Sequence, residues 1–472
     1  MNSNHSSSQA SPSSPSSPAT AHPLLQRRSV LGLGALSALS LAAPGVWAQA
    51  VPGSLGNGRL VVVFLRGAYD GLSAFVPYAD KDYYALRPNI AIPAPDGTAQ
   101  TAIKLDKTFA LHPALAPLFP LWQQGVLSFV PAAGLPVPNR SHFDAQYQME
   151  IAQGGKTSSA PGWLNTTAGI GKSAANGANG ANGAVALGVG EANPAILSGQ
   201  AAAVRLIPRG QSAERTGVLA NDKTRQALMD LYAGDDKLSE AFRQGAGSRM
   251  QSAQELTEQR TARAEKMAQD AKRMADRNLD RDGVPASAQA LNAQMLAASN
   301  GAADPVGLQL DAQHLGTLMR NDRKLRLGFL SAGGWDTHAN QGAATGQLAN
   351  NLGNLARGIA QLRQDFSEPG DVVIVMSEFG RTSAENGTRG TDHGFGNAMW
   401  LMGNRVAGGR WHGVWTGLGQ LNEGRDLPAH HDYRGVLGQV LRGAFGLGDS
   451  QMADVLPGAK WDKRLDGVFN KA

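Results

Sequence analysis

Cysteine is absent from all 472 residues of the sequence. This absence excludes disulfide bonds, zinc sites built on thiolates and cysteine nucleophiles. The stability of the fold must therefore come from core packing or from a bound metal. Any such metal must be held by carboxylate, imidazole or hydroxyl groups, and zinc, manganese and calcium are the candidate ions.

Three catalytic signatures are also missing. No Gly-x-Ser-x-Gly segment is present, which excludes the usual nucleophile turn of α/β hydrolases. No His-Glu-x-x-His segment is present, which excludes the helical zinc site of many metalloproteases. No serine precedes an x-Pro-x-Arg segment, and the lack of that context excludes the formylglycine class of sulfatases.

The sequence has little excess charge and few long apolar runs. The formal net charge is +5, of which Arg27 and Arg28 contribute two. Because the basic residues are dispersed, we expect no nucleic-acid partner. Beyond the amino-terminal region, no apolar run approaches the roughly 20 residues that a membrane-spanning helix needs. We therefore expect no stable membrane insertion of the mature chain.

The amino terminus has three regions of different composition. Residues 1–22 are rich in Ser, Pro and Ala and contain no Asp, Glu, Lys or Arg, which predicts disorder. Arg27 and Arg28 then precede an apolar stretch from Val30 to Ala43. The small-residue run Ala48-Gln49-Ala50 follows and has the composition of a cleavage site.

This order of regions is that of a secretory signal, and the paired arginines indicate the twin-arginine route. A membrane anchor is the alternative, but the apolar stretch is shorter than a membrane span and contains Gly. We therefore predict that residues 1–50 comprise a disordered start and a cleaved signal, which the twin-arginine translocase recognises. The domain over residues 51–472 is expected to act in the periplasm or as a secreted protein.

Continuous apolar runs predict strands that are buried on both faces of a sheet. They occur at Leu60–Leu65, Val126–Pro131, Leu325–Leu330 and Val372–Met376. Between the last two runs, apolar residues spaced by three and four from Leu348 to Phe366 predict an amphipathic helix. Strand, helix and strand in this order form a βαβ unit, which implies a mostly parallel sheet sandwiched by helices. The predicted fold class is therefore α/β.

Two segments between the strands have a different composition. Residues 174–184 read AANGANGANGA, which is low in complexity and predicts a surface loop. Residues from about 221 to 300 are charged, poor in aromatics and helix-prone. We interpret this second segment as a helical insertion that lies over or beside the sheet.

Polar residues follow each of the four predicted strands. They are Arg66 and Asp70 after the first strand, Arg140, Ser141 and His142 after the second, Asp336 and His338 after the third, and Glu378, Arg381 and His393 after the fourth. Ligands of open parallel sheets bind beyond the carboxyl ends of the strands, so these side chains are expected to form a site. A single Asp at such a place more often caps a helix. The prediction therefore depends on the presence of polar residues after all four strands.

This set of side chains permits metal-assisted cleavage of an ester. Asp336, His338 and His393 offer the oxygen and nitrogen ligands that suit zinc or manganese. Glu378 and Asp70 are candidates to hold a second ion. The sequence thus predicts a divalent metal ion as cofactor.

The candidate nucleophile and substrate-binding residues lie beside these ligands in the sequence. Ser141 opens a predicted helix, where backbone N–H groups favour an anion, so its hydroxyl is the candidate nucleophile. Arg66, Arg140 and Arg381 are candidates to bind the substrate oxygens. His142 is interpreted either as a residue that orients a loop or as an acid.

Five ordered segments resemble a known protein family. They read VVFLRGAYDGL, NRSHFDAQ, GGWDTHANQ, SEFGRT and GTDHG. They resemble the exported bacterial proteins known as domain of unknown function 1501, over about residues 60–441. That family is grouped with the alkaline-phosphatase-like fold, which includes phosphatases, sulfatases and cofactor-independent phosphoglycerate mutase. The resemblance implies a metal-dependent hydrolase that acts on a small anionic phosphate or sulfate ester.

The resemblance also implies a ligand set. One metal site would comprise Asp336, His338 and His393, and the other would comprise Asp70, Ser141 and Glu378, with Ser141 as nucleophile. The sequence departs from the superfamily pattern at Ser377-Glu378, where Asp-His is usual, so one histidine ligand is missing. This departure keeps a second hypothesis open, in which the protein is a catalytically degenerate member that serves as a periplasmic binding or assembly protein.

Overall fold

The structure is a computed structural model that describes residues 58–155, 159–175, 186–202, 204–271 and 295–470. Its strands are β1 (Leu60–Leu65), β2 (Phe75–Val76), β3 (Ile103–Lys104), β4 (Ala110–Leu111), β5 (Leu127–Gly134), β6 (Ala186–Val189), β7 (Val204–Ile207), β8 (Leu327–Ala332), β9 (Val372–Met376), β10 (Asn397–Met402) and β11 (His431–Asp432). Its α-helices are α1 (Gly71–Ala74), α2 (Lys81–Leu86), α3 (Phe119–Gln123), α4 (His142–Glu150), α5 (Trp163–Ala175), α6 (Asp222–Leu231), α7 (Lys237–Ala271), α8 (Leu308–Asn321), α9 (Gln347–Asp365), α10 (Tyr433–Phe445) and α11 (Asp449–Val455).

Eight of these strands form one sheet in the order β11-β5-β10-β9-β1-β8-β6-β7. Five strand pairings are parallel, and β10 runs antiparallel to both of its neighbours. A second, antiparallel sheet has the order β2-β4-β3. The mostly parallel large sheet, flanked by helices, confirms the predicted α/β class.

The apolar run of β1 is buried because helices cover both faces of the sheet. Leu60, Val62 and Phe64 pack in one core cluster with α10, and Val61, Val63 and Leu65 pack in another with α8 and α9. Alternate residues of a strand point to opposite faces, so a strand covered on both sides needs apolar residues at every position. Each fully buried Val or Leu side chain contributes about 1.5–3 kcal/mol to this core.

The four strands and the helix predicted from apolar patterns are present. β1 and β9 have the predicted bounds, and β5 extends three residues beyond the predicted Pro131. β8 begins at Leu327, two residues later than predicted, and α9 spans Gln347–Asp365. The leucines at three- and four-residue spacing form the buried face of α9.

The low-complexity segment and the predicted insertion are described in part. Ala174 and Ala175 end α5, and residues 176–185 lie outside the described residues. Helices α6 and α7 occupy much of the predicted helical insertion, whose residues 272–294 are also outside. The predicted signal over residues 1–50 lies outside the described part of the chain as well. In the part that is described, no helix is both long and apolar enough to cross a membrane.

Candidate metal centre

The centre lies at the carboxyl ends of four strands. β8 and β9 both run parallel to β1, and β5 is parallel to β9 because each is antiparallel to the intervening β10. The segments that follow these strands therefore meet at one edge of the sheet. They bring together His142 at the start of α4, Asp336 and His338 after β8, and His393 beyond β9.

One oxygen atom, Asp336 Oδ1, is the hub of this centre. It lies 2.8 Å from His338 Nε2, 3.2 Å from His393 Nε2 and 3.5 Å from His142 Nε2. His393 Nε2 in turn lies 2.9 Å from His142 Nε2 and 3.1 Å from His338 Nε2. Three imidazole nitrogens thus converge on one carboxylate oxygen, and His142, Asp336 and His393 lie close enough together to hold one metal ion.

The second ring nitrogen of each histidine is held by an oxygen acceptor. The partners of the Nδ1 atoms are Glu378 Oε1 for His142 at 2.7 Å, Asp392 Oδ1 for His338 at 2.9 Å and the Arg140 carbonyl for His393 at 2.9 Å. Since an oxygen acceptor requires a proton on Nδ1, each neutral ring presents the lone pair of Nε2 to the centre. Metal-binding histidines are usually oriented by such partners.

This arrangement fits a divalent cation. Without a positive charge between them, facing lone pairs on three nitrogens and a carboxylate would repel one another. A tetrahedral ion with bonds of about 2.0–2.1 Å separates its ligand atoms by about 3.3 Å, close to the 2.8–3.5 Å separations given above. Asp336 is 4% exposed, and its Oδ2 is buried with no hydrogen-bond partner among the described residues. A buried carboxylate oxygen left without a partner is costly unless a ligand satisfies it.

The electrostatics of the centre also favour positive charge. Burial alone would raise the pKa of Asp336, but hydrogen bonds to three histidines and the charge of Arg381 hold it well below its usual range. Burial lowers the pKa of His142, but Asp336 and Glu378 outweigh this effect and raise the pKa to about 9. The hydrogen bond to Asp336 is the main cause of a raised pKa at His338. The carboxylates therefore stabilise a cation, whether proton or metal.

The family model described as protein of unknown function (DUF1501) matches residues 57–431, a span that includes every residue of this centre. The chain belongs to this family. The match confirms the family resemblance carried by the five sequence segments. A search of curated proteins finds no match.

The structure shows how this DUF1501 protein uses Arg381, which was predicted to bind substrate. Its guanidinium donates to Asp336 Oδ1 at 2.7 Å and to the carbonyls of Gly67, Ala68, Trp335 and Thr391. The residue is 2% exposed, so its donors are occupied inside the protein. Arg381 thus orients the hub carboxylate and the loops around it.

Arg66 and Glu378 belong to a buried network behind His142. Glu378 Oε1 accepts hydrogen bonds from His142 Nδ1, Gln146 Nε2 and the Gly67 amide. Arg66 reaches this network through Gln146 and pairs with two further carboxylates, Glu150 and Glu191. Glu378, predicted as a ligand, therefore orients the candidate ligand His142. The predicted substrate-binding residue Arg66 is fully engaged in ion pairs.

Gly67 has a conformation that this network requires. Its φ angle is +110°, and a Cβ atom there would lie 2.9 Å from the Asp336 amide nitrogen. A side chain at this position would be strained and would displace the segment that carries the hub carboxylate. Glycine lets the turn after β1 approach both Asp336 and Glu378.

Asp70, predicted to hold a second ion, has its charge satisfied by an internal ion pair. Arg87 donates to both of its oxygens, at 2.6 and 3.1 Å, and Ser73 and Gln341 donate to Oδ2. Asp70 also caps α1 by accepting from the Leu72 amide. Among the described residues, the structure places Asp70 with Arg87 and not with Glu378.

Ser141 is the N-cap of α4, in agreement with the prediction that it begins a helix. Its hydroxyl is exposed, and it accepts from the Asp144 amide at 3.5 Å. The two neighbours of Ser141 both belong to the centre, because the Arg140 carbonyl holds His393 and His142 is a candidate ligand. The hydroxyl therefore lies on the solvent side of the segment that supplies two parts of the centre.

His142 is a candidate ligand that was not assigned to a metal site from the sequence. It lies in the NRSHFDAQ segment at the start of α4 and is 9% exposed. A histidine directly after an N-cap serine, in a segment that follows a buried strand, was the available signal. His338 and His393 have side chains 25% and 22% exposed, so the centre opens to solvent on their side.

Proposed function

We propose that this DUF1501 protein is an exported, metal-dependent hydrolase of phosphate or sulfate esters with an alkaline-phosphatase-like fold. The observation that carries the proposal is the convergence of three Nε2 atoms on Asp336 Oδ1, with each Nδ1 atom held by an acceptor. His142, Asp336 and His393 would hold one divalent ion, with His338 beside them. The imidazole-rich donor set favours zinc or manganese over calcium, since calcium takes oxygen ligands.

When bound, a divalent ion at this centre supplies a Lewis acid that stabilises negative charge on an ester oxygen. The protein's own residues fix the ligands that hold the ion. Glu378, Asp392 and the Arg140 carbonyl orient the three imidazoles, and Arg381 orients the hub carboxylate. These partners hold the site in one geometry before substrate arrives, which lowers the reorganisation required during the reaction.

Ser141 is the nucleophile of the proposal. Its exposed hydroxyl lies at the amino terminus of α4, where the backbone N–H groups favour an anionic group. In the proposed step, Ser141 Oγ bonds to phosphorus or sulfur while the bond from that atom to the ester oxygen breaks. The hydroxyl proton passes to solvent, and the departing alkoxide takes up a proton. Water then cleaves the serine ester and releases phosphate or sulfate.

Turnover by Ser141→Ala tests this assignment. Zinc- and manganese-loaded protein would be assayed with 4-nitrophenyl phosphate and 4-nitrophenyl sulfate, with Ser367→Ala as an exposed-serine control. We expect Ser141→Ala to lower kcat by on the order of 10³-fold or more while its metal content stays unchanged. Equal rates for Ser141→Ala and wild type on every ester that is cleaved would remove Ser141 from the mechanism.

A second candidate function is a non-catalytic binding or assembly protein that retains the metal centre. The observation that favours it is the internal pairing of Arg66, Arg381 and Asp70, which leaves none of these three to bind substrate. This candidate predicts metal binding without turnover on a broad ester panel. It also predicts a specific periplasmic partner in a pull-down that His393→Ala loses.

We also infer that residues 1–50 direct export through the twin-arginine translocase. The pair Arg27 and Arg28 before a moderately apolar stretch supports this inference. The test is fractionation of cells that express wild type or the double variant Arg27→Lys/Arg28→Lys. We expect mature protein in the periplasm for wild type and precursor in the cytoplasm for the variant. Periplasmic protein in equal amounts from both would contradict the inference.

A further inference from the structure

Gln341 is a fully buried amide that lies where three of the five sequence segments meet. Its Oε1 accepts hydrogen bonds from the hydroxyls of Thr337 and Thr391, each at 2.8 Å. Its Nε2 donates to Asp70 Oδ2 at 2.7 Å. One side chain thus joins the segments that follow β1, β8 and β9.

Both threonines lie next to residues of the metal centre. Thr337 stands between Asp336 and His338, and Thr391 precedes Asp392, whose carboxylate holds His338. The Thr391 amide also donates to the Thr337 carbonyl at 3.1 Å, so the two segments run side by side. A shift of either threonine would move a ligand or the partner that orients one.

The other end of the amide is fixed by the ion pair of Asp70 with Arg87. Arg87 is fully buried and also donates to the carbonyls of Thr382 and Ser383, in the segment that follows β9. The carboxylate of Asp70 can only accept, so it requires the NH₂ group of the amide. The two threonine hydroxyls then donate to the amide oxygen, and the orientation of Gln341 is determined.

We infer that Gln341 is a positioning residue for the metal centre, and the inference rests on the metal binding proposed above. An amide is the side chain that offers an acceptor for two hydroxyls and a donor for a carboxylate at this place. Glutamate would set a second negative charge against Asp70, and leucine would leave two buried hydroxyls without their acceptor and remove one of the donors to Asp70 Oδ2. Gln341 therefore acts on the centre through Thr337 and Thr391 and does not touch the ligands.

The test compares metal affinity and ligand geometry in full-length wild type, Gln341→Leu and Gln341→Glu. Zinc affinity is measured by competition with a chelator dye, and ligand geometry by the visible spectrum of bound Co²⁺. Gln439→Leu, at another buried glutamine near Asp462 and Asp466, is the matched control. We expect the two Gln341 variants to bind zinc 10–100-fold more weakly with an altered Co²⁺ spectrum, and Gln439→Leu to match wild type in both.

One further variant keeps the inference testable if a charged or apolar replacement prevents folding. Thr391→Val removes one of the two hydroxyl donors at nearly constant volume, and we expect several-fold weaker zinc binding.

The outcomes separate this inference from the proposed function. Wild type that binds zinc, together with folded Gln341 and Thr391 variants that match it in affinity and Co²⁺ spectrum, would overturn the positioning role and leave the metal centre intact. Folded wild type that binds neither zinc nor Co²⁺ would overturn both. Weaker zinc binding in the folded Gln341 and Thr391 variants, with Gln439→Leu equal to wild type, would support both.

Discussion

The Nε2 atoms of His142 and His393 face each other at a distance of 2.9 Å. The Nδ1 atom of each ring donates a hydrogen bond to an oxygen, that of Glu378 for His142 and the Arg140 carbonyl for His393. When both rings are neutral, imidazoles so oriented direct lone pairs at one another, and a proton or a metal ion at this point relieves their repulsion. The carboxylate of Asp336 lies against both rings and supplies negative charge at the same point. This relationship ties the amino terminus of α4 to the segment beyond β9 and is the basis of the proposed metal centre.

Removal of the His142 imidazole should abolish tight metal binding. We expect His142→Ala to weaken zinc binding by more than about 100-fold, because loss of a ligand exceeds the 10–100-fold effect typical of outer partners. Isothermal titration with zinc measures the change. His430→Ala, which removes a histidine that hydrogen-bonds Thr416, is the control and should bind as wild type does. Zinc affinity that is equal in His142→Ala and wild type would exclude His142 as a ligand.

Loss of the charge on Glu378 should weaken metal binding without the loss of a ligand. Glu378→Gln can keep an oxygen to accept from His142 Nδ1 but withdraws the negative charge that polarises the ring. We expect zinc affinity to fall about 10–100-fold, less than in His142→Ala. Titration of both variants under one set of conditions gives the ranking, and an effect of Glu378→Gln larger than that of His142→Ala would argue that Glu378 is itself a ligand.

The buried strands could be predicted from sequence because a sheet covered on both faces leaves a continuous apolar run. This apolar pattern predicted the bounds of β1 and β9 correctly. The grouping of Asp336, His338 and His393 could be predicted because strand ends of a parallel sheet gather at one edge, and the structure brings these three residues together. Local pattern and topology were sufficient for the strands and for this grouping, and the metal-binding role of the three residues stays a prediction.

The roles of Asp70 and Arg66 could not be read from sequence because their partners are set by tertiary structure. Asp70 caps α1 and pairs with Arg87, and a capping carboxylate looks the same in sequence as a metal ligand. Arg66 pairs with Glu150 and Glu191, which lie 84 and 125 residues away in the chain. No local sequence pattern predicts such ion pairs.

Acidification should destabilise the fold through His112. Burial is the main cause of its lowered pKa of about 4. Its Nδ1 accepts the Ala114 amide and so caps the 3-10 helix Pro113–Leu118, a hydrogen bond that protonation would break. The unfolded chain binds a proton near pH 6.5 that the folded chain does not bind until about pH 4. The contribution of His112 to the free energy of unfolding is therefore fully present above pH 6.5 and is lost as the pH falls toward 4. At pH 5 the loss is about 2 kcal/mol.

Urea unfolding of wild type and His112→Asn at pH 7.5 and pH 5 measures this contribution, because the asparagine can still cap the helix but does not titrate. We expect the variant to lose less stability than wild type between the two pH values. Equal losses in the two proteins would show that His112 does not control the acid response.

Arg381→Lys should destabilise the protein although it retains the positive charge. The guanidinium serves four backbone carbonyls and Asp336, and an ammonium with three donors cannot satisfy all of them. We expect a loss of about 2–5 kcal/mol in the free energy of unfolding. Arg442→Lys, at a partly exposed arginine paired with Asp449, should change it by no more than about 1 kcal/mol. Similar values for the two substitutions would contradict the buried role of Arg381.

The metal content of the protein purified without chelators is the most direct test of the central claim. We predict one equivalent of zinc or manganese in wild type, measured by elemental analysis, and less than a tenth of that in Asp336→Ala and His393→Ala. Both variants would be checked for folding by circular dichroism. A folded wild-type protein that contains no metal and takes up no added zinc or manganese would contradict the account.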